Sequence, residues 1–390
     1  MKIDKVIRQI DSNNIKDFKR REACMLKKLS PEVKILDINH KSGPIKYNLY
    51  YFDPIDYIGL FLDRFFDHMV WRYTEPSGDN SVIYSTFINS GLFKKYNHID
   101  VIAIELFIDG WESGNHSTLV GVYMTILNLH PAIEKYFVKN RVLVALIPKV
   151  VDKHMAMHMI LESLRNTQQT GIQHSGKVLY PRLMRIVADS PEAYSLLCFN
   201  SYTSSSPCRF CELPLAMIVS TEPSYHPREW SKVIDYHNDY SDALQHGTLD
   251  SRTQEFKTRC EKLAIHYQHP YIDPVVQIPL EMMHVETLGN MKRELIMVFG
   301  GLDTQQWVKV HRRYSLLKGS LRLAYLESFV AREITQLSMC SLYLLRDLIS
   351  EEQYNCLKTH TRYYFMLHQD RLGDYKEFLE LCHQKEDLRV

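Results

Sequence analysis

Apolar positions are densest between residues 99 and 148, in three runs, IDVIAIELFIDGW, STLVGVYMTILNLHP and NRVLVALIPK, each rich in β-branched residues and separated by Gly, Ser, Asn and Pro. Runs of this length between turn formers predict three adjacent strands. Upstream, YYFDPIDYIGLFLDRFFDHMVW repeats apolar residues at three- and four-residue steps, which predicts a buried helix before the sheet. Downstream, Lys153 to Ile172 keeps the helical rhythm and meets a C-terminal stop at Gly171. The run YPRLMRIVA then predicts a fourth strand, closed by Asp189 and followed by Ser-Pro-Glu, a good helix start.

This pattern divides the chain into a helical N-terminal flank (1–97), a first part of an α/β core (98–212), a mostly helical insertion (213–275), a segment completing the core (276–345) and C-terminal helices (346–390). The first 35 residues mix Lys and Arg with acids, which favours a solvated flank over a basic arm that grips nucleic acid. No internal repeat or low-complexity tract interrupts the chain.

With 390 residues, 45% hydrophobic and a net charge of +1, the composition is that of a globular protein and excludes disorder over most of the length. No apolar run approaches the roughly 18 residues of a membrane helix, and the first residues lack the apolar centre of a signal peptide, so an intracellular protein without a membrane partner is expected. Of eight cysteines only Cys208 and Cys211 are closely spaced, which argues against a disulfide framework and for reduced thiols with one metal site.

Asp109 closes the first predicted strand and Asp189 the fourth. Alone, Asp109 with Gly110 reads as a turn pair. Both acids meet at one rim if the fourth strand lies parallel to the first after a right-handed helical crossover. Two such carboxylates suit a pair of Mg²⁺ ions about 3.5–4 Å apart, clamping a phosphodiester. His154 and His158, one helical turn apart, lack the Glu of the zinc-protease arrangement and read as part of a Met-rich amphipathic helix. Lys292, Arg293, Lys309, Arg312, Arg313, Lys318 and Arg322 form the strongest basic cluster, suited to phosphate neutralisation or to a solvated helix face.

The segments IELFIDGW…STLVGVYMTILNLHP…VLVALIPK, VADSPEAYSLLCFNSYTSSSPCRFC, IPLEMMHVETLGNMKREL and LLKGSLR resemble DDE transposases of CACTA (En/Spm), Plavaka or Kolobok-like type, over residues 45–385. The resemblance implies an α/β ribonuclease H-like core, a mixed sheet flanked by helices, with a mostly helical insertion and a helical C-terminal region. It implies cut-and-paste transposition in the nucleus, with transposon-end DNA as partner and a homo-oligomer as the assembly to look for. Asp109 and Asp189 match the first and second metal-binding acids, for Mg²⁺ or Mn²⁺. Cys208, Cys211 and His284, with Glu281 where the family carries Asp or Cys, match a structural Zn²⁺ site; His226, Cys260, His266 and His269 compete as a further ligand, and two packed thiols are the alternative. Lys292, Arg293, Arg312, Arg313 and Lys318 are the expected DNA contacts.

The family's third acid belongs in a Lys-Gly/Ala-Ser-Glu segment, and here Lys318-Gly319-Ser320 is followed by Leu321. Glu327, the nearest acid downstream, is rotated away from the face of Leu321 on a helix and is the candidate third catalytic acid only if that helix is shifted. Weak or absent DNA cleavage is therefore expected, as in a truncated or decayed element. The alternative is a catalytically inactive, host-adapted DNA-binding protein on the same fold; a structure-specific nuclease is a third reading.

Overall fold

The computed structural model describes residues 32–40, 43–71, 83–84, 94–96, 98–113, 117–129, 141–148, 151–199, 204, 207–214, 226–248, 273–279, 281, 283–317, 322–367 and 371–372. They divide into two units, one of residues 1–74 and 87–279 and the other of residues 75–86 and 280–390.

The first unit opens with an antiparallel hairpin, β1 (Glu32–His40) and β2 (Gly43–Tyr51), followed by helix α1 (Pro54–Phe65). Asp53 caps α1 by accepting the Ile55 N–H at 2.7 Å, and Pro54 supplies a pre-set φ at the first turn. Tyr57, Ile58, Phe61, Leu62 and Phe65 then recur on one buried face, the helix that the periodicity predicts. The Asp53 carboxylate also accepts the Ser163 hydroxyl at 2.7 Å, which fixes α1 to the crossover helices.

After the short β3 (Ile83–Tyr84), which belongs to the second unit, come β4 (Asp100–Ser113), β5 (Ser117–Ile126) and β6 (Arg141–Pro148), an antiparallel meander in the three predicted places. Asn128, fully buried just past β5, locks it: its Oδ1 accepts the Ala103 N–H at 2.6 Å, and its Nδ2 donates to the Val70 and Val101 carbonyls at 2.9 and 2.8 Å.

The chain crosses over through α2 (Lys153–Ile160) and α3 (Glu162–Thr170). The single predicted helix is thus two, separated at Leu161 and ended by Gly171. Gly171 has φ of +73°, and a Cβ there would lie 2.5 Å from Val178 Cγ1, so both backbone and space require glycine. The chain returns as β7 (Ile172–His174) and β8 (Lys177–Ala188). β8 runs parallel to β4, and the seven-stranded sheet has the order β1-β2-β6-β5-β4-β8-β7. Helices α4 (Ser190–Leu197), α5 (Trp230–Gln245) and the short α6 (Pro274–Gln277) complete the unit. Ile102, Ile104, Leu106 and Ile108 of β4 pack with α1, α2 and α3 in one core, to which α5 adds Val233. The protein is therefore a mixed α/β fold whose sheet is flanked by helices, and the described helix of the predicted insertion is docked on it.

The flank read as helical differs, because residues 32–51 are strands. In β1 the apolar Val33 and Ile35 are exposed.

In the second unit β3 pairs with β9 (Arg371–Leu372), and a π-helical segment (Met283–Met291) leads into α7 (Lys292–Gly300). Then follow α8 (Thr304–Leu316), a 3₁₀ segment (Leu323–Ser328), α9 (Ala331–Leu345) and α10 (Glu351–Leu367). Leu295, Phe299, Val310, Ile334, Leu344, Leu357 and Tyr364 share one core, so the predicted boundary at residue 345 falls inside a single helical body. Among the described residues no helix is long and apolar enough to cross a membrane.

Candidate active site

Side chains alternate along β4, and because its even positions fill the core, Glu105, Phe107 and Asp109 project from the opposite face. Asp109 is exposed. On the parallel neighbour β8, Ala188 stands beside Ile108 and Asp189 follows immediately, so the two acids follow the last pair of that ladder. Asp109 does not close its strand as the sequence suggests, because β4 runs on to Ser113 and pairs Asp109 with Gly121 of β5. Neighbouring strands lie about 4.8 Å apart, so the two acids stand on neighbouring backbone positions. The crossover through α2 and α3 brings together residues far apart in sequence, as the strand order predicts.

Asp189 is also the cap of α4: its Oδ1 accepts the Glu192 N–H at 2.7 Å, and Pro191 follows in the first turn. That bond fixes the carboxylate and leaves Oδ2 for another partner. Both Glu192 oxygens instead engage Lys153 Nζ at 2.7 Å, a pair neutralised within the same unit. Sequence reading passed over this pair, although the Asp-Ser-Pro-Glu spacing that makes Asp189 a cap also marks Glu192.

Four residues before Asp109, Glu105 is only 3% exposed yet receives Arg185 Nε and, at 3.4 Å, Arg141. The register shift between Ile104 and Glu105 steps past Met184 and sets Arg185 opposite Glu105. An acid inside an apolar run was the available signal, since a buried carboxylate requires a cationic partner.

Cys208 and Cys211 sit in a turn held by two arginines. Arg228 Nε donates to the Cys208 carbonyl at 2.9 Å, and Arg209 donates to the Ile278 and Pro279 carbonyls at 2.6 and 2.7 Å. The Phe210 N–H points at Cys208 Sγ at 3.4 Å, and a Leu213 backbone N–H serves Cys211, so each sulfur accepts from two residues on. Burial, above all, pushes the Cys211 thiol up from its ordinary pKa, with Cys208 adding to the shift. Glu281 and His284 belong to the second unit, where Glu281 Oε2 lies 2.7 Å from His284 Nδ1 and accepts the His284 N–H. Among the described residues no three His, Cys, Asp or Glu side chains are grouped to hold a metal. His226 is exposed beside the thiol turn; Cys260, His266 and His269 lie outside the described residues.

His154 and His158 face different partners. His154 Nε2 lies 3.3 Å from Cys198 Sγ in the core. His158 Nδ1 is 2.8 Å from Arg165, and burial together with that guanidinium holds its imidazole below the ordinary value. They form no pair, in keeping with the sequence reading.

In the second unit Lys318 and Leu321 lie outside the described residues, and Glu327 is exposed on the 3₁₀ segment. The basic cluster splits by role. Lys292 Nζ donates to the Phe329 carbonyl at 2.9 Å, and Arg313 donates to the Leu344 carbonyl at 2.9 Å and to the Arg346 carbonyl at the end of α9. Arg293, Lys309 and Arg312 are exposed. The chain matches no protein-family model and no curated protein.

Proposed function

We propose that this chain is a transposase-derived protein on a ribonuclease H-like core, one that binds DNA and cuts it poorly or not at all. The observation that carries the reading is Asp109 beside Asp189 on adjacent parallel strands. The same order of three antiparallel strands, a helical crossover and a fourth strand leading into a helix underlies the family resemblance.

Asp109 and the free oxygen of Asp189 suit one divalent cation, which when bound would polarise a phosphodiester oxygen. The chain's own part is to fix Asp189 by the α4 cap and to leave Asp109 open to solvent. Leu321 occupies the position of the third acid, and loss of one charged ligand from a two-cation clamp removes several kcal/mol of transition-state stabilisation, roughly a thousandfold or more in rate. DNA contact falls to Arg293, Lys309 and Arg312, because Lys292 and Arg313 serve the fold. The Cys208–Cys211 turn is a candidate zinc half-site. A nuclear location belongs to this reading.

The test is plasmid nicking in Mg²⁺ or Mn²⁺ beside a DNA-binding titration. Wild type should nick no faster than an Asp109→Asn, Asp189→Asn double variant, and Leu321→Glu should gain activity. Arg312→Glu should weaken salt-sensitive binding. Strong wild-type cleavage abolished by Glu327→Gln would overturn the inactive reading, and absence of DNA binding would overturn the proposal as a whole.

A further inference from the structure

The sheet face that carries Asp109 has a second set of side chains leading up to it. Phe107 on β4 stands directly across from Tyr123 on β5, with ring centroids 5.9 Å apart and planes tilted by 53°. The Arg141 guanidinium lies over the Phe107 ring, 4.3 Å from its centroid. Glu105, buried beneath, holds both Arg141 and Arg185, whose side chains stay 45% and 39% exposed. One carboxylate orients two guanidinium groups and cancels one of their charges, leaving a single net positive charge beside two half-buried rings.

Gly121 sets the direction of this surface. It is the cross-strand partner of Asp109, and a Cβ at that position would meet Tyr123 Cε2 at 2.7 Å and the Tyr123 hydroxyl at 3.2 Å. Without a side chain at 121 the Tyr123 ring lies down along the strand, its hydroxyl over the residue that faces Asp109. Directly opposed Cβ positions are about 4.5–5.5 Å apart, so the phenol ends next to the acid. Any larger residue at 121 would lift the ring off the sheet.

We propose that Phe107, Tyr123, Arg141 and Arg185 form a stacking platform for single-stranded DNA, which leads the strand to Asp109. Aromatic faces take bases of any sequence, and Arg adds cation–π and phosphate contacts at small cost in specificity. A duplex offers no unstacked base faces to such a surface. An apolar peptide would leave the one uncancelled positive charge without an anionic partner. The proposal rests on the reading above for the kind of ligand; binding itself needs no cation and no bond cleavage.

The test is fluorescence anisotropy of a fluorescein-labelled oligothymidine with the full chain in EDTA, so that metal binding and cutting play no part. Phe107→Leu and Tyr123→Leu should each raise Kd about tenfold, the loss of one stacked base. Tyr123→Phe should bind like wild type, because the ring is kept, and Gly121→Val should bind like Tyr123→Leu. A duplex of the same length should bind more weakly at the platform and be insensitive to Phe107→Leu. Equal affinity in folded Phe107→Leu and Tyr123→Leu proteins, verified by circular dichroism, would overturn the platform, as would wild type that binds no oligothymidine. Duplex binding with no oligothymidine binding would overturn the platform and leave the DNA-binding reading standing; absence of binding to either would overturn both.

Discussion

Replacing His360 by Leu should unfold the second unit under conditions that leave the first intact. His360 on α10 stands between Glu286 of the π-helical segment, with Nε2 and Oε1 2.6 Å apart, and Glu294 of α7, which faces Nδ1. The three side chains are 8%, 5% and 18% exposed. Removing the imidazole leaves two carboxylates in the interior, one still supported by Asn290 Nδ2 at 2.8 Å and the other with an oxygen, Glu294 Oε1, that has no hydrogen-bond partner. Breaking a buried charged pair by deleting one partner costs about 3–5 kcal/mol, a large part of the roughly 5–15 kcal/mol that holds a domain together. Replacing all three by Leu removes the uncompensated charge as well and should return stability to near or above wild type. Trp307, the second unit's tryptophan, reports its urea unfolding in a Trp71→Phe, Trp111→Phe, Trp230→Phe background. A loss below about 1 kcal/mol for His360→Leu, or a triple variant as unstable as the single one, would refute the reasoning.

Arg313→Ala should lower the stability of the second unit by about 1–3 kcal/mol, because it frees carbonyls at the end of α9, whereas Arg312→Glu should change stability by less than about 0.5 kcal/mol; chemical denaturation separates them, and the opposite ranking would show that the roles are misassigned. Gly171→Ala should destabilise the first unit by roughly 1–3 kcal/mol through the positive φ and the Val178 clash, with unchanged stability as the contrary result. Since burial raises the Cys211 pKa, its thiolate fraction at any given pH falls below that of a free thiol, so iodoacetamide labelling should trail that of glutathione and accelerate only at higher pH; Cys211 labelled ahead of glutathione near pH 7 would contradict this.

The central strands were legible because each is a long apolar run with turn formers at its ends, and Asp109 and Asp189 were legible because each interrupts such a run at its close. Their adjacency followed from one rule, the hand of the crossover. The break at Leu161 was not, since the apolar rhythm of Lys153 to Ile172 passes through it unchanged. The β1 strand escaped notice because it lies in a polar, charged flank, and its Val33 and Ile35 are exposed rather than part of a core. Partners that depend on tertiary folding were also out of reach: His360 meets Glu286 across 74 positions, and nothing local to either announces it. The roles of Lys292 and Arg313 were hidden for the same reason, because a carbonyl receptor has no sequence signature.

The parallel contact of β4 with β8 has a consequence for how the protein is made. Glu105 and Arg185 are eighty positions apart, so during synthesis at about 5–20 residues per second β4 waits roughly 4–16 s for its neighbour. Over that interval the meander exposes a long apolar strand edge, a template for pairing with other chains. Closing so large a loop before any contact rewards it makes this the slow, late event of folding. The acids therefore come together only once β8 has been made, and a nascent or truncated chain ending before β8 would display the edge and lack the site.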